Sequence, residues 1–156
     1  MITDESIPET AEPEKASDAE WKIEVKVSEN GSLRSTGLTR NDVERAFPLS
    51  RIITSRFEEN NPEYSVNTII AEGIPLRDLL GLIGAEKAVR IVAVGTDGTE
   101  REISKKKWEE HDGHLIWIEN NDFALRWSEA KVAIAFTDAD PFSYIPSVVS
   151  LRIFIE

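Results

Sequence analysis

Cysteine is absent from the 156-residue chain. That excludes disulfides, thiolate metal ligands and a cysteine nucleophile, while leaving the redox compartment undetermined. Histidine is scarce: the only two, His111 and His114, share one short segment, and no serine sits in a Gly-x-Ser-x-Gly elbow. A Ser–His–Asp hydrolase is therefore not expected. The eight glycines form neither a Gly-x-Gly-x-x-Gly nor a Walker pattern, so a phosphate-cradling loop is excluded as well. No window approaches the roughly 18 apolar residues that span a bilayer, and the amino terminus shows neither the basic nor the apolar region of a secretory leader. The expectation is a soluble protein, either cytoplasmic or the mature form of an exported one. Basic runs are limited to Lys105-Lys106-Lys107, followed at once by Trp108, Glu109 and Glu110. Nucleic-acid binding needs clustered cations to release counterions, so this run reads as a solvated helix face.

What the chain does have is acid. Its formal net charge is −11, and residues 1–20 hold seven Asp and Glu against Lys15 alone, a charge of −6 that leaves −5 for the other 136 residues. This tail lacks apolar periodicity and cannot offset its ordering entropy, so residues 1–20 read as a disordered acidic tail. A solubilising leader or linker is the plain role; a partner-binding arm is the alternative. Residues 21–156 are long enough for one domain with a substantial core.

Trp21-Lys22-Ile23-Glu24-Val25-Lys26-Val27 alternates with period 2 and predicts a half-buried strand, Asn30-Gly31 a tight turn, and Leu33–Thr36 a short return strand. Thr39, with Asp42 three residues on, predicts the cap of a helix over Arg40–Phe47 that Pro48 ends. Arg51–Phe57 and Tyr64–Ile70 read as a hairpin around a polar turn at Glu58–Glu63. Gly73-Ile74-Pro75-Leu76-Arg77-Asp78-Leu79-Leu80-Gly81-Leu82-Ile83-Gly84 is punctuated at both ends: Pro75 suits a first helical turn, Leu76, Leu79, Leu80 and Ile83 recur at helical spacing, and Gly84 suits a left-handed stop. Ala88–Val94 and Glu100–Ile103 flank an Asp97-Gly98 hairpin turn, Ser104 caps a helix over Lys105–Glu110, and strands follow at His114–Ile118, Lys131–Phe136 and Val148–Glu156, the last inside the sheet. Many strands and three short helices without βαβ alternation predict a single α+β domain on a mixed or antiparallel sheet.

The order of the Leu38–Val43 helix start, the Gly73-Ile74-Pro75-Leu76-Arg77-Asp78-Leu79-Leu80 helix, a strand and the Asp97-Gly98 turn resembles the molybdopterin-binding domain of the sulfite oxidase family. The resemblance covers residues 20–156. It implies an α+β fold around a molybdenum–pterin cofactor, with the metal held by one cysteine between the first helix and the Gly-x-Pro-Leu helix. In the corresponding interval here, 48–72, the candidates in its place are the hydroxyls of Ser50, Ser55 and Ser65, and Arg126-Trp127-Ser128-Glu129-Ala130 stands where the family has a glycine- and proline-rich segment. The leading expectation is a non-catalytic, cysteine-less domain that binds a pterin-type ligand or a protein partner on the face where the family holds its cofactor. Arg51, Arg56, Arg77 and Arg126 are the candidate anion contacts, because the guanidinium fork is planar and bidentate.

Two other classes stand beside it. One is a metal- or carboxylate-dependent enzyme centred on His111-Asp112-Gly113-His114, whose plain reading is a surface turn; the other is a pure protein-interaction module. Asp138, Asp140, Glu58, Glu59 and Glu63 cluster in expected loops and read as solvent-facing carboxylates rather than an acid–base pair or cation site. Trp108, Trp117, Trp127, Tyr144, Phe123 and Phe142 concentrate in the second half, as core or, where two share an open face, as a stacking wall.

Overall fold

A computed structural model describes residues 20–57, 66–123, 131–138 and 140–155. The expected acidic tail (Glu20 excepted), the 58–63 turn, Tyr64 and Ser65, and Arg126 with Trp127 lie outside them, as does the side chain of Phe123. The fold is α+β, with three short helices and ten strands among the described residues.

The first hairpin joins β1 (Lys22–Glu29) to β2 (Ser32–Thr39). Asn30 and Gly31 both have positive φ, the geometry that matches the twist of paired strands. The return strand is twice the expected length, because β1 pairs with it in unbroken register from Glu29↔Ser32 to Lys22↔Thr39. Thr39 then caps α1 (Arg40–Ala46) in a complete capping box with Asp42, as its spacing predicts.

Strands β3 (Ser50–Phe57) and β4 (Val66–Pro75) form the second hairpin. Pro75 departs from expectation. It belongs to β4, pairing with His114, and serves as N-cap of α2 (Leu76–Leu82) rather than entering its first turn. The Leu76 N–H donates to Gly113 O at 2.8 Å, so a neighbouring loop meets one amide that the missing cap side chain leaves open. Gly84 adopts φ +71° beyond the helix and Ala85 N–H donates back to Leu80 O at 2.7 Å, a left-handed stop as predicted.

Strands β5 (Ala88–Gly95) and β6 (Glu100–Ser104) flank the Asp97-Gly98 turn; Ser104 caps α3 (Lys105–Glu110); β7 (His114–Glu119), β8 (Asp122–Phe123), β9 (Ala133–Ala135) and β10 (Val148–Ile155) complete the order.

These strands form two sheets where periodicity predicts one. The first runs β2-β1-β10-β5-β6 and is mixed, because β10 lies parallel to β1 and antiparallel to β5; the second runs β3-β4-β7-β8, all antiparallel, with β9 on β7. The main core fills the space between them: Val25, Ile91, Leu151 and Ile153 from the first sheet meet Ile74, Leu115, Trp117 and Ile134 from the second, with Leu76, Leu79 and Trp108 from the helices. A smaller cluster of Ile52, Ile69, Ala71, Ile116, Ala133, Ala135 and Tyr144 is built on the second sheet. Sequence alternation identifies which residues face inward but not which strand lies beside which, and that is why the division escapes it.

The lysine run is not simply a solvated face. Lys107 is bonded to the Asp138 carboxylate and to Ser143 Oγ at 2.7 Å, with its ammonium 4.8 Å from the Phe136 ring centroid. Burial pushes the Asp138 carboxyl up, but Lys107, the Asp140 N–H and the Ser143 hydroxyl outweigh it and hold the group below its ordinary value of 3.8. A carboxylate whose folded pKa is depressed stabilises above its unfolded value, and that contribution is lost as pH falls through the lowered folded one. Asp138→Asn is accordingly expected to cost about 2 kcal/mol at pH 7. It should also flatten the loss of stability below about pH 4 in urea titrations.

Candidate functional site

The interval where the resemblance places a metal-binding cysteine forms β3 and β4 themselves. Directly paired residues share a face, so Ile53↔Ile70, Phe57↔Val66 and Arg51↔Glu72 lie together on one side, while Ile52, Thr54 and Arg56 lie on the other with Ala71, Ile69 and Asn67. The inner side packs on the smaller cluster, and Thr54 Oγ1 donates to Phe136 O at 2.6 Å. The outer side is open: Ile53 is 63% exposed, Val66 51% and Ile70 41%. Strand β3 is also the edge of its sheet. Phe57 extends the apolar strip to Phe142, whose ring meets it edge-on at 4.8 Å and is itself exposed.

The four candidate arginines do not converge. Arg56 is buried to 11% exposure and makes a bidentate pair with Glu119, at 2.5 Å (Nε to Oε2) and 2.7 Å (Nη2 to Oε1). It ties β3 to β7 across β4. The buried Tyr144 hydroxyl feels this pair: desolvation pushes its pKa well above 10.0, Glu119 adds to the rise and Arg56 opposes it. Arg51 and Arg77 remain mostly exposed, Arg51 at 3.4 Å from Glu72 and Arg77 at 3.8 Å from Asp112. Arg126 is outside the described residues.

The histidine segment also differs from a surface turn. Gly113 is closely surrounded by side chains, since an added Cβ would come within 2.9 Å of Leu76 Cδ1 and 3.0 Å of Phe136 Cε1, and His114 beside it is only 1% exposed. Its Nδ1 lies 2.7 Å from Asp112 O and its Nε2 2.9 Å from Ser50 Oγ. A carbonyl only accepts, so Nδ1 carries the proton, and in the neutral ring Nε2 accepts from the Ser50 hydroxyl. Both ring nitrogens are thereby used. His111 caps α3, and its carbonyl accepts from Thr137 N–H at 2.8 Å. Among the described residues, no group of three His, Cys, Asp or Glu side chains is placed to hold a metal ion. Of the candidate serines in the 48–72 interval, Ser50 is committed to His114, Ser55 is buried and Ser65 is outside the described residues. A molybdenum held through thiolate does not fit this donor set.

Asp138 and Asp140 accept from the backbone N–H groups of Asp140 and Phe142, at 3.2 and 3.0 Å, as loop-closing turns do. Trp108, Trp117 and Tyr144 are core, with Trp117 Nε1 donating to Glu44 at 2.9 Å and its ring centroid 5.1 Å from that of Trp21. The Ser50–His114 bond joins residues 64 apart; the sequence signal was a serine in the interval and a histidine flanked by Gly113, but nothing local links them.

Among solved structures, the chain is similar to the sulfane dehydrogenase SoxCD from Paracoccus pantotrophus, with a TM-score of 0.65 and 14% identity. The match covers 86% of this chain and 38% of that one, so this chain spans well under half of its neighbour's length. The likeness is one of fold. No protein-family model matches the chain, and no curated protein does. No helix among the described residues is long and apolar enough to cross a membrane.

Proposed function

We propose that this chain is a non-catalytic binding domain, of the kind found in molybdopterin enzymes, that docks a protein partner on the outer face of the β3–β4 hairpin. The observation that carries this is the group of three exposed aliphatic side chains, Ile53, Val66 and Ile70, on one face of an edge hairpin. Such a face costs solubility unless something covers it, and an edge strand offers backbone donors and acceptors to an incoming strand. The missing thiolate supports a role without metal redox chemistry.

The reading is tested by placing a photo-crosslinking amino acid at position 53 and irradiating cells that produce the full chain. One defined partner, lost on Ile70→Lys and not captured from position 89, is the expected result. Val89 is the control because it is an exposed aliphatic on the other sheet. Equal capture from both positions sinks the reading.

A pterin-type ligand on the same face is the second reading, favoured by the fold likeness. Arg51 would meet the ligand's anionic group in exchange for Glu72, and Arg56 would hold the hairpin behind it. Metal mass spectrometry and oxidised-pterin fluorescence on protein from a cofactor-producing host decide it. Pterin at stoichiometric amounts supports this ligand; its absence from folded protein removes it.

A further inference from the structure

A separate cleft of about 580 Å³ opens between β2, α1 and the end of α2, on elements that the β3–β4 face does not include. That volume lies within the range of small-molecule sites. Its apolar lining comes from Leu38, Leu82 and Ile83, and its charged lining from Arg34, Asp42 and Arg45.

The two arginines share a feature that most arginines of this acidic chain lack. Neither makes an ion pair among the described residues, whereas all the other described arginines except Arg101 do. Arg34 is held in place by carbonyls: Nη1 donates to Ile83 O at 2.8 Å and Nη2 to Gly84 O at 3.0 Å. Those bonds fix the guanidinium without neutralising it, and they use two of its five N–H groups. Arg45 stands exposed in the last turn of α1. The one opposing carboxylate in the lining, Asp42, accepts from Thr39 N–H at 3.1 Å in the capping box. Two cations thus face one carboxylate already committed to a helix end.

We infer that this cleft binds a small molecule with a dianionic head and an apolar body, the head between Arg34 and Arg45 and the body on Leu38, Leu82 and Ile83. Pairing an unneutralised, pre-positioned guanidinium with such a head gives charge-assisted hydrogen bonds at little ordering cost.

The test is an amide-resolved NMR titration of the full chain with phenyl phosphate, compared with inorganic phosphate and benzyl alcohol. Saturable shifts confined to residues 34–38, 42–46 and 82–84, with a Kd near or below about 1 mM, are expected. Inorganic phosphate should bind about tenfold more weakly and benzyl alcohol not at all. Arg45→Gln is exposed and should leave the fold intact while weakening phenyl phosphate about tenfold. Shifts that do not saturate, that spread over other surfaces, or that persist unchanged in Arg45→Gln overturn the site.

Discussion

Gly73→Ala is expected to cost at least about 3 kcal/mol and to leave little folded protein at 37 °C. A Cβ on Gly73 would fall inside the carbonyl oxygen of Leu115 and 2.7 Å from Ile116 Cα. Both are backbone atoms of β7, so no side chain can swing aside. The crowding coincides with an irregularity in strand pairing, where Glu72↔Ile118 is followed by Gly73↔Ile116. Strand β4 presses onto β7 there, immediately before Ile74 and Leu76 enter the main core. Relief requires the two strands to part, which exposes that part of the core. Gly81→Ala is the matched control: within α2 an added Cβ meets nothing within 4 Å, and replacing a helical glycine should stabilise by about 0.5–1 kcal/mol. Urea melts of the two variants should move in opposite directions. A Gly73→Ala midpoint within error of the parent would mean that β4 and β7 can slide past each other freely.

The second large effect is expected at Glu119. Glu119→Ala removes the bidentate Glu119 carboxylate from the Arg56 guanidinium, 11% exposed, and breaking such a pair costs about 3–5 kcal/mol. The loss should be mostly recovered in the double variant Arg56→Met/Glu119→Leu, because the pair's desolvation penalty vanishes along with its attraction. Thermal melts of the single and double variants at pH 7 measure this directly. If the double variant is no better than the single, the two residues hold the hairpin through contacts other than their mutual charge.

Those expectations rest on geometry that local sequence reveals unevenly. Caps and turns were legible because their causes are local: Thr39 with Asp42, Ser104, Asn30-Gly31 and Gly84 each act within a few residues, and each stands where its chemistry places it. Pro75 was misplaced by one residue, since pairing with His114 on β7 claims it for the strand. The division into two sheets and the parallel β1–β10 pair depend on contacts between distant segments, which alternation does not encode.

At the candidate site the difficulty was one of parity. Arg51 and Arg56 look alike in sequence, yet five residues along a strand places them on opposite faces, one meeting solvent and the other a buried carboxylate. His114 reads as part of a surface turn because its preceding neighbours are polar, whereas it opens the buried strand β7 and its ring bonds to Ser50. The arginines of the β2–α1–α2 cleft gave no signal at all. Arg34 and Arg45 lie on a strand and a helix, and their shared lack of a carboxylate is visible only once every other partner is assigned.

The position of β10 bears on how the protein is made. Its neighbours β1 and β5 have left the ribosome long before it, yet neither can complete its pairing until Val148–Ile155 arrives, since Glu24 waits for Ser150 and Ile91 for Ile153. During synthesis the nascent chain therefore presents two hairpins with open edges and a half-built core, the condition in which strands pair with the wrong neighbour. Translation speed and chaperone supply between the emergence of β5 and that of β10 should consequently set the yield of native protein more than the intrinsic strength of any single hairpin.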